Sequence, residues 1–549
     1  MTVAQFMLDF EHEIRPSLED DHRCFIDSKT GRELTISQLR LHTNALASAL
    51  HSNYGIGDND TVMLFSPNHI DYPLTAWAIH RLGGIVTCSN PQFTADELCH
   101  QLQVANVTFM IVHSTVLSVS LEAAQLSGLP DDRIVLLDDS ESISVSDSTH
   151  TASAYKTIPG LIAQELDRSS PFAGRTLKPG EGKTKVALLF WSSGTTGTPK
   201  AVAISHYALI ANVIQTGLHC GIGKKYSSSD TIFQPGDTAL AVLPFYHAAG
   251  FVITVHAIIF CSMTLVVPPK YEFFDMLKNL ERHRVSHLLL HMAAQGAAPV
   301  SPQMQARLCA LLPKINYYIL MLRPGMTEMT AVITMLAAEQ QHGPLGSSGR
   351  LLPGIEARIL RPDGTLAAPG EPGELIVRGP ATALGYWRNK SATNETFVDG
   401  WVRTGDQVIL TADNEVLVQD RLKEFLKVKG FQVAPAELEG TLLGHPDVLD
   451  CCVVGIQDER RGEAPLAYVV LSPEARDKIQ NNPRASLEAE ESIKKYISER
   501  KVRYKHLVGG VRFIEAIPRN GSGKILRRVL RQQAREEGTK RQQPSRSKL

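Results

Sequence analysis

A surplus of charge is what this sequence most plainly lacks: 56 Lys and Arg stand against 57 Asp and Glu, a net of −1 with His neutral. No global field is left to draw in nucleic acid or an anionic membrane, so no nucleic-acid partner is expected. Cysteine is sparse. Cys24, Cys88, Cys99, Cys220, Cys261, Cys309, Cys451 and Cys452 include no C-x-x-C pair and no clustered His, which argues against a zinc site and fits small core residues in a reducing compartment. Residues 1–21, MTVAQFMLDFEHEIRPSLEDD, lack the basic-then-apolar pattern of a secretory signal. Long apolar runs are also scarce. Between Asp237 and Lys270 no side chain is charged, but the run FVITVHAIIFCSMTLVV falls short of the ~20 residues of a spanning helix. It is broken by His256 and follows the turn LPFYHAAG. It predicts a buried helix followed by a strand, and no integral membrane span.

What is present is the composition of a large enzyme. The 549 residues are 43% hydrophobic and 21% charged, within globular averages and enough for roughly three to four domain-sized units. Helical periodicity at Ile36–Leu50, a strand-like TVMLFSP and a second helix at Pro73–Leu82 alternate as in an α/β layered fold. Ser-rich residues 139–156 and 223–238 predict surface loops. The charged stretch QDRLKEFLKVKG precedes a short α+β pattern: helix AELEGTLLGH, strand VLDCCVVGI, helix LEAEESIKKYISER. The reading is a large N-terminal domain over residues 1–419, connecting residues 420–424, a small α+β domain over 425–535 and a flexible tail over 536–549. The cleft between two such domains is the first place to look for a site. The tail ends in Ser547, Lys548 and Leu549, the S-K-L address that the peroxisomal import receptor reads, so a peroxisomal location is expected.

The sharpest motif is FWSSGTTGTPKAV, Phe190–Val202. Small residues let backbone N–H groups converge on an anion, and hydroxyls with the Lys200 ammonium add donors. A phosphate cradle follows from that chemistry. It is no Walker A loop, because G-x-x-x-x-G-K-[ST] is not met and a strand-like AVAI follows the lysine.

SSGTTGTPK resembles the signature of the adenylate-forming superfamily of acyl- and aryl-CoA synthetases, luciferases and peptide-synthetase adenylation domains. TGD at 404–406, DRLKE at 420–424, KVKGFQVAPAELE at 427–439 and NGSGKI at 520–525 recur in the family's order, together with LPFYH, GAAP and GMTE. The wording is most similar to the 4-coumarate-CoA ligase-like branch, and with the S-K-L end it resembles fungal acyl-CoA ligases of secondary-metabolite pathways, some of them toxin pathways. The resemblance implies two steps: ATP and a carboxylate give acyl-AMP and pyrophosphate, then CoA displaces AMP.

By the same resemblance Ser192, Ser193, Gly194, Thr195, Thr196 and Lys200 hold the triphosphate, with Thr327 nearby, and Glu328 binds Mg²⁺. Asp406 takes the ribose hydroxyls beside Arg421, and Lys423 is the hinge of the small domain. Lys524, in a Gly-Ser-Gly loop, is the adenylation lysine. Rotation then brings Lys427, Lys429, Gly430 and Gln432 to the site, Lys429 and Gly430 toward CoA. His247, Ala249, Gly296 and Ala297 line the acyl pocket. Hydroxycinnamate ligases carry an aromatic where Ala249 stands, so an aliphatic or polyketide-like acid is favoured.

Two departures from the family pattern stand out. HRVSHLLLHMAAQGAAPV joins the strand at Val285–His287 to GAAP almost directly, so a piece of the pocket wall is absent. Pro324 replaces the aromatic before GMTE that stacks on adenine. They keep open a non-catalytic nucleotide-binding homologue, and an acyl-AMP ligase donating to a carrier protein is a separate alternative.

Overall fold

The computed structural model describes residues 1–139, 155–168, 172–192, 199–223, 231–291, 316–320, 325–337, 347–421, 424–428, 431–458, 462–479, 482–519 and 525–542. Their layers follow from where apolar residues run unbroken. Strands Thr61–Phe65 and Ile85–Ser89 are buried at every position, the pattern of parallel strands covered on both faces. They form the centre of a sheet ordered Gly385–Tyr386, Lys200–Ser205, Val186–Ser192, Ile85–Ser89, Thr61–Phe65, Val107–Val112, Ile134–Leu136. Helices Ile36–Tyr54 and Tyr72–Arg81 occupy the two predicted places. The first starts at a reciprocal Thr35–Gln38 capping box and stops at Gly55, whose φ of 69° is open to glycine at little cost.

A second sheet runs Asn316–Leu320, His287–His291, Thr238–Leu240, Thr264–Val267, Arg23–Asp27, Glu33–Thr35. The long uncharged stretch is a buried helix followed by a strand of this sheet, as expected. Ala249–Ala257 winds as a π-helix, Ile258–Phe260 continues it, and Thr264–Val267 is the strand. Among the described residues no helix is long and apolar enough to cross a membrane. Gly250 sits where a Cβ would lie 1.9 Å from the Pro244 carbonyl oxygen. Gly250→Ala is therefore expected to destabilise the protein by about 2 kcal/mol or more, read as a lower urea midpoint; an unchanged midpoint would refute the close approach.

A third sheet is antiparallel: Thr334–Met335, Ser347–Leu351, Glu415–Arg421, Trp401–Leu410, Gly373–Arg378 and Glu356–Leu360, with Phe397–Val398 paired to Trp401–Leu410. Beyond it lies a smaller α+β lobe. Strands Phe431–Val433, Leu426–Val428, Gly462–Leu471 and Val448–Asp458 form its sheet, Gly510–Phe513 adds in parallel to Gly462–Leu471, and helices Pro435–Leu442 and Pro483–Arg500 pack on it. Among the described residues, the buried clusters of the large lobe use residues up to Val416 and those of the small lobe begin at Leu426.

Two expectations are corrected. The charged stretch near Asp420 is no bare connector, since Glu415–Arg421 and Leu426–Val428 are both strands, with Val416 in the core of the large lobe and Leu426 and Val428 in that of the small lobe. The polar run expected as a flexible tail from 536 is helical through Gln542. Its Arg, Gln and Glu residues are strong helix formers, and Gln532–Glu536 and Gln533–Glu537 hydrogen bonds tie successive turns. An ion pair from Arg512 to Glu537 fixes it to the small sheet. The loop expected at 139–156 falls largely outside the described residues, as does 224–230 of the second.

Candidate active site

The phosphate-cradle motif spans a hairpin. Val186–Ser192 and Lys200–Ser205 pair antiparallel, and Ser192 stands opposite Lys200 at its open end. Ser193, Gly194, Thr195 and Thr196 lie outside the described residues. Tyr386, a residue the sequence reading missed, closes the constellation. Its two-residue strand pairs with the hairpin, Gly385 opposite Ala203 and Tyr386 opposite Val202. Gly385 permits this approach: its φ is 131°, and a Cβ there would meet Thr393 Cγ2 at 2.7 Å. The Lys200 ammonium lies 5.1 Å from the Tyr386 ring centroid, a cation–π contact. The Tyr386 hydroxyl donates to Glu328 Oε1 at 2.7 Å. Burial, then the nearby Glu328 carboxylate, push the phenol well above its ordinary range, so it stays a protonated donor. A Gly-Tyr pair after a strand was the available signal, but it reads as an ordinary turn until pairing brings it to Lys200.

Glu328 occupies the short 3₁₀ turn Thr327–Met329 and is 6% exposed. Its carbonyl accepts from Ala383 N–H at 3.0 Å, so the segment after Arg378 holds both Glu328 and Tyr386. Thr330 follows with a φ of 68°, strained for a β-branched residue, and its hydroxyl donates to the Ala381 carbonyl at 2.6 Å. Strain held by such contacts clusters at functional sites.

Asp406 sits on the third sheet, in strand Trp401–Leu410, 7% exposed and in register with Arg421. Its backbone N–H donates to Thr404 Oγ1 at 3.1 Å, and that hydroxyl donates to the Leu375 carbonyl at 2.8 Å. The predicted Asp–Arg pair is thus adjacent across two strands. His247 is half-buried at the mouth of the π-helix, where its backbone N–H donates to the Pro244 carbonyl at 3.1 Å. Asn68 shapes that turn: Nδ2 donates to the Ala241 and Leu243 carbonyls at 3.2 and 3.0 Å, and Oδ1 accepts from Phe245 N–H at 2.8 Å. Ala249 is buried one residue before Gly250. Strands Leu426–Val428 and Phe431–Val433 place Lys427 opposite Gln432. Gly296, Ala297, Pro324, Lys423, Lys429, Gly430, Lys524 and Ser547–Leu549 lie outside the described residues.

Between the third sheet and the small lobe a cleft of about 390 Å³ is lined by Gln407, Gln419, Phe425, Ala434, Glu437 and Lys505. It opens one residue from Asp406. Burial would raise the Glu437 carboxyl, but hydrogen bonds from Lys501 at 2.9 Å and Lys505 at 2.5 Å outweigh it and hold the group below its ordinary range.

Ser192 and Lys200 at the end of a hairpin, joined through Tyr386 to a buried carboxylate in a two-lobed α/β chain, are the polar groups that the fold brings together here. The chain belongs to the AMP-binding enzyme family, whose profile matches residues 13–291 and 288–387, while residues 437–524 match the AMP-binding enzyme C-terminal domain. The two N-terminal matches meet on strand His287–His291, where the sequence joins two motifs almost directly. Acyl-CoA ligase azaF of Aspergillus niger is 36% identical over 537 residues, 92% of this chain and 93% of that protein. Phenylacetyl-CoA ligase epaB of Aspergillus niger is 35% identical over 547 residues, 93% and 94% of the two chains. "4-coumarate--CoA ligase-like 2" of Arabidopsis thaliana is 32% identical over 534 residues, 92% and 87%. ATP-bound MatB from Rhodopseudomonas palustris has the same fold, with a TM-score of 0.77 at 21% identity over 98% of this chain and all of that one (100%).

Proposed function

We propose that this protein is an ATP-dependent carboxylate-CoA ligase acting on an aliphatic or polyketide-like acid. The observation that carries the reading is Tyr386, which joins Lys200 to the buried Glu328 at the open end of the hydroxyl-rich hairpin. Two anions must meet in the first step, so fixed donors have to neutralise charge on the phosphoryl oxygens. Lys200, Ser192 and the hairpin residues Ser193–Thr196 hold the triphosphate, and Thr327 adds a hydroxyl beside it. Asp406 and Arg421 hold the ribose, and Lys524 meets the phosphate from the small lobe. After rotation at Lys423, Lys427, Lys429, Gly430 and Gln432 face the acyl-adenylate and CoA. His247 orients the carboxylate at the mouth of the acyl pocket, and Ala249, Gly296 and Ala297 leave room for the acid.

Glu328 suits a Mg²⁺ ion carried by the nucleotide. Tyr386 engages Oε1, leaving Oε2 as a hard oxygen donor, and no cluster of three ligating side chains among the described residues offers a protein cage. Mg²⁺ of that kind keeps its waters and takes one or two carboxylates plus phosphates. When bound, it would offset phosphate charge; the chain's own part is to orient and desolvate Glu328.

The test is pyrophosphate release with ATP and Mg²⁺ over straight-chain, unsaturated, aryl and arylacetic acids, with and without CoA. CoA-dependent turnover of an aliphatic or polyketide-like acid is the expected result. Turnover of aryl acids alone would overturn the substrate class, and ATP binding without turnover would favour a non-catalytic homologue. Lys524→Ala is expected to abolish acyl-adenylate formation while sparing thioester formation from supplied acyl-adenylate; equal loss of both steps would remove that role. Delivery to the peroxisome is the finer reading of Ser547–Leu549, supported by a relative named "Peroxisomal OPC-8:0-CoA ligase 1" in Arabidopsis thaliana. Deleting those three residues is expected to turn a punctate, N-terminally tagged protein diffuse, and unchanged puncta would refute it.

A further inference from the structure

The small lobe contains a buried charge cluster that the reaction does not require for its chemistry. Arg527, the first residue of the C-terminal helix, is 5% exposed. Nη2 donates to both carboxylate oxygens of Glu439, at 2.8 and 2.6 Å, and Nη1 pairs with Glu424 Oε2 at 2.9 Å. Glu439, on helix Pro435–Leu442, also accepts the Val453 N–H at 2.8 Å. One guanidinium therefore ties together a helix, through Glu439 the strand Val448–Asp458 of the small sheet, and the residue that follows Lys423. A buried pair of this kind adds little net stability, whereas it fixes which groups must sit together.

The same residue stands just beyond the loop that carries Lys524. The base of that loop is closed by an antiparallel bridge between Arg519 and Ile525 and by Leu526 N–H donating to the Pro518 carbonyl at 2.9 Å. Arg519 is anchored in turn to Asp450 Oδ2 at 2.7 Å. One stem of the loop is thus held on strand Val448–Asp458 and the other, through Arg527, on Glu424.

We infer that Arg527 is a positioning residue that fastens the exit of the hinge at Glu424 to the base of the Lys524 loop, so that rotation at Lys423 carries the lysine as one body. This rests on the acyl-adenylate reading above. Without the fastening, the chain on either side of Glu424 would absorb part of the rotation, and the ammonium would arrive off its line of action. A misplacement of about 1 Å costs on the order of 100-fold in a positioned reaction. Only adenylate formation uses Lys524, so only that step should register the loss.

The test is Glu424→Ala in the full-length protein, which leaves the Arg527–Glu439 fork and the buried core in place. Hydrogen exchange followed by mass spectrometry is expected to rise by about threefold or more in peptides covering both 424–428 and 517–528. A rise confined to 424–428 would overturn the fastening, whether or not the protein turns over any acid. In the half-reactions, adenylate formation is expected to fall by about tenfold, with thioester formation from supplied acyl-adenylate within about twofold of wild type. Equal loss of both would show a general structural role and overturn the proposal. Wild-type protein that formed no adenylate would sink the ligase reading alone, because the exchange result still decides the fastening.

Discussion

Glu328→Gln is expected to slow acyl-adenylate formation by about 100-fold or more, with little change in folding. The amide keeps the shape of the side chain and can still accept the Tyr386 hydroxyl bond, so the turn Thr327–Met329 keeps its place. What disappears is a negative charge in a desolvated position, where it interacts far more strongly than in water. Tyr386→Phe separates the two contributions. It leaves the carboxylate charged and the ring beneath Lys200, removing one hydrogen bond from Glu328. A loss of about tenfold is expected. The measurement is pyrophosphate exchange against ATP and Mg²⁺ concentration for both variants. Unchanged rates in Glu328→Gln would remove that residue from the site, and a larger loss in Tyr386→Phe than in Glu328→Gln would reverse their ranking.

Acid should unfold the large lobe well above the pH at which its carboxylates protonate. His80 and His256 are wholly buried, and burial depresses them to about 3 and about 4 from the ordinary 6.5. His80 is lowered further by His256, while the Ala187 carbonyl on its Nε2 acts in the opposite sense. His256 is held neutral by geometry: Nε2 accepts from Trp77 Nε1–H at 3.0 Å, so Nδ1 carries the proton and donates to the Phe251 carbonyl at 2.8 Å. His206, packed on His80 with ring centroids 5.2 Å apart, is also well below the ordinary range, through burial, His80 and Lys185.

Groups whose folded pKa is depressed in this way contribute stability fully only above 6.5, the unfolded value. As pH falls the unfolded chain takes up protons that the folded one refuses, and the loss continues down to the folded values near 4 and 3. Each such histidine costs up to about 1.4 kcal/mol per pH unit once the unfolded imidazole is charged, so His80 and His256 together remove about 3 kcal/mol between pH 6.5 and pH 5. That is a large part of the ~5–15 kcal/mol a domain has. Urea midpoints at pH 7 and pH 5 check it: a marked fall is expected, and equal midpoints would mean these imidazoles are not held neutral by the fold.

How much of this was legible in the sequence depended on the range of the interaction. Local patterns were readable because they are set by neighbours in the chain: the helix beginning at Ile36, the strand after it, and the π-helix–strand pair that could have been mistaken for a membrane span. Lys200 and Glu328 could be nominated because their motifs lie within a few residues of each, and the structure adds that Tyr386 joins the two. Tyr386 could not be nominated, since its role comes from an antiparallel pairing across 184 positions, set by Gly385 and Thr393. Arg527 was hidden for the same reason: its partners lie 88 residues away at Glu439 and further at Glu424. The terminal helix was misread because polar composition alone does not separate a solvated helix from a loose tail, and Arg512–Glu537 decides it from outside the segment.

The short strand Gly385–Tyr386 has a second effect, on solubility. It covers the outer side of Lys200–Ser205, a run of KAVAIS whose next neighbour on the other side is Val186–Ser192. Left bare, that edge would offer a row of backbone donors and acceptors, backed by buried Ala201, Val202 and Ala203, to any other chain. The tyrosine that bridges the lysine and the carboxylate is thus also part of a guard rail against self-association. Lesions at Gly385 or Thr393 would surface in an expression trial as insoluble protein before any assay of activity could be run.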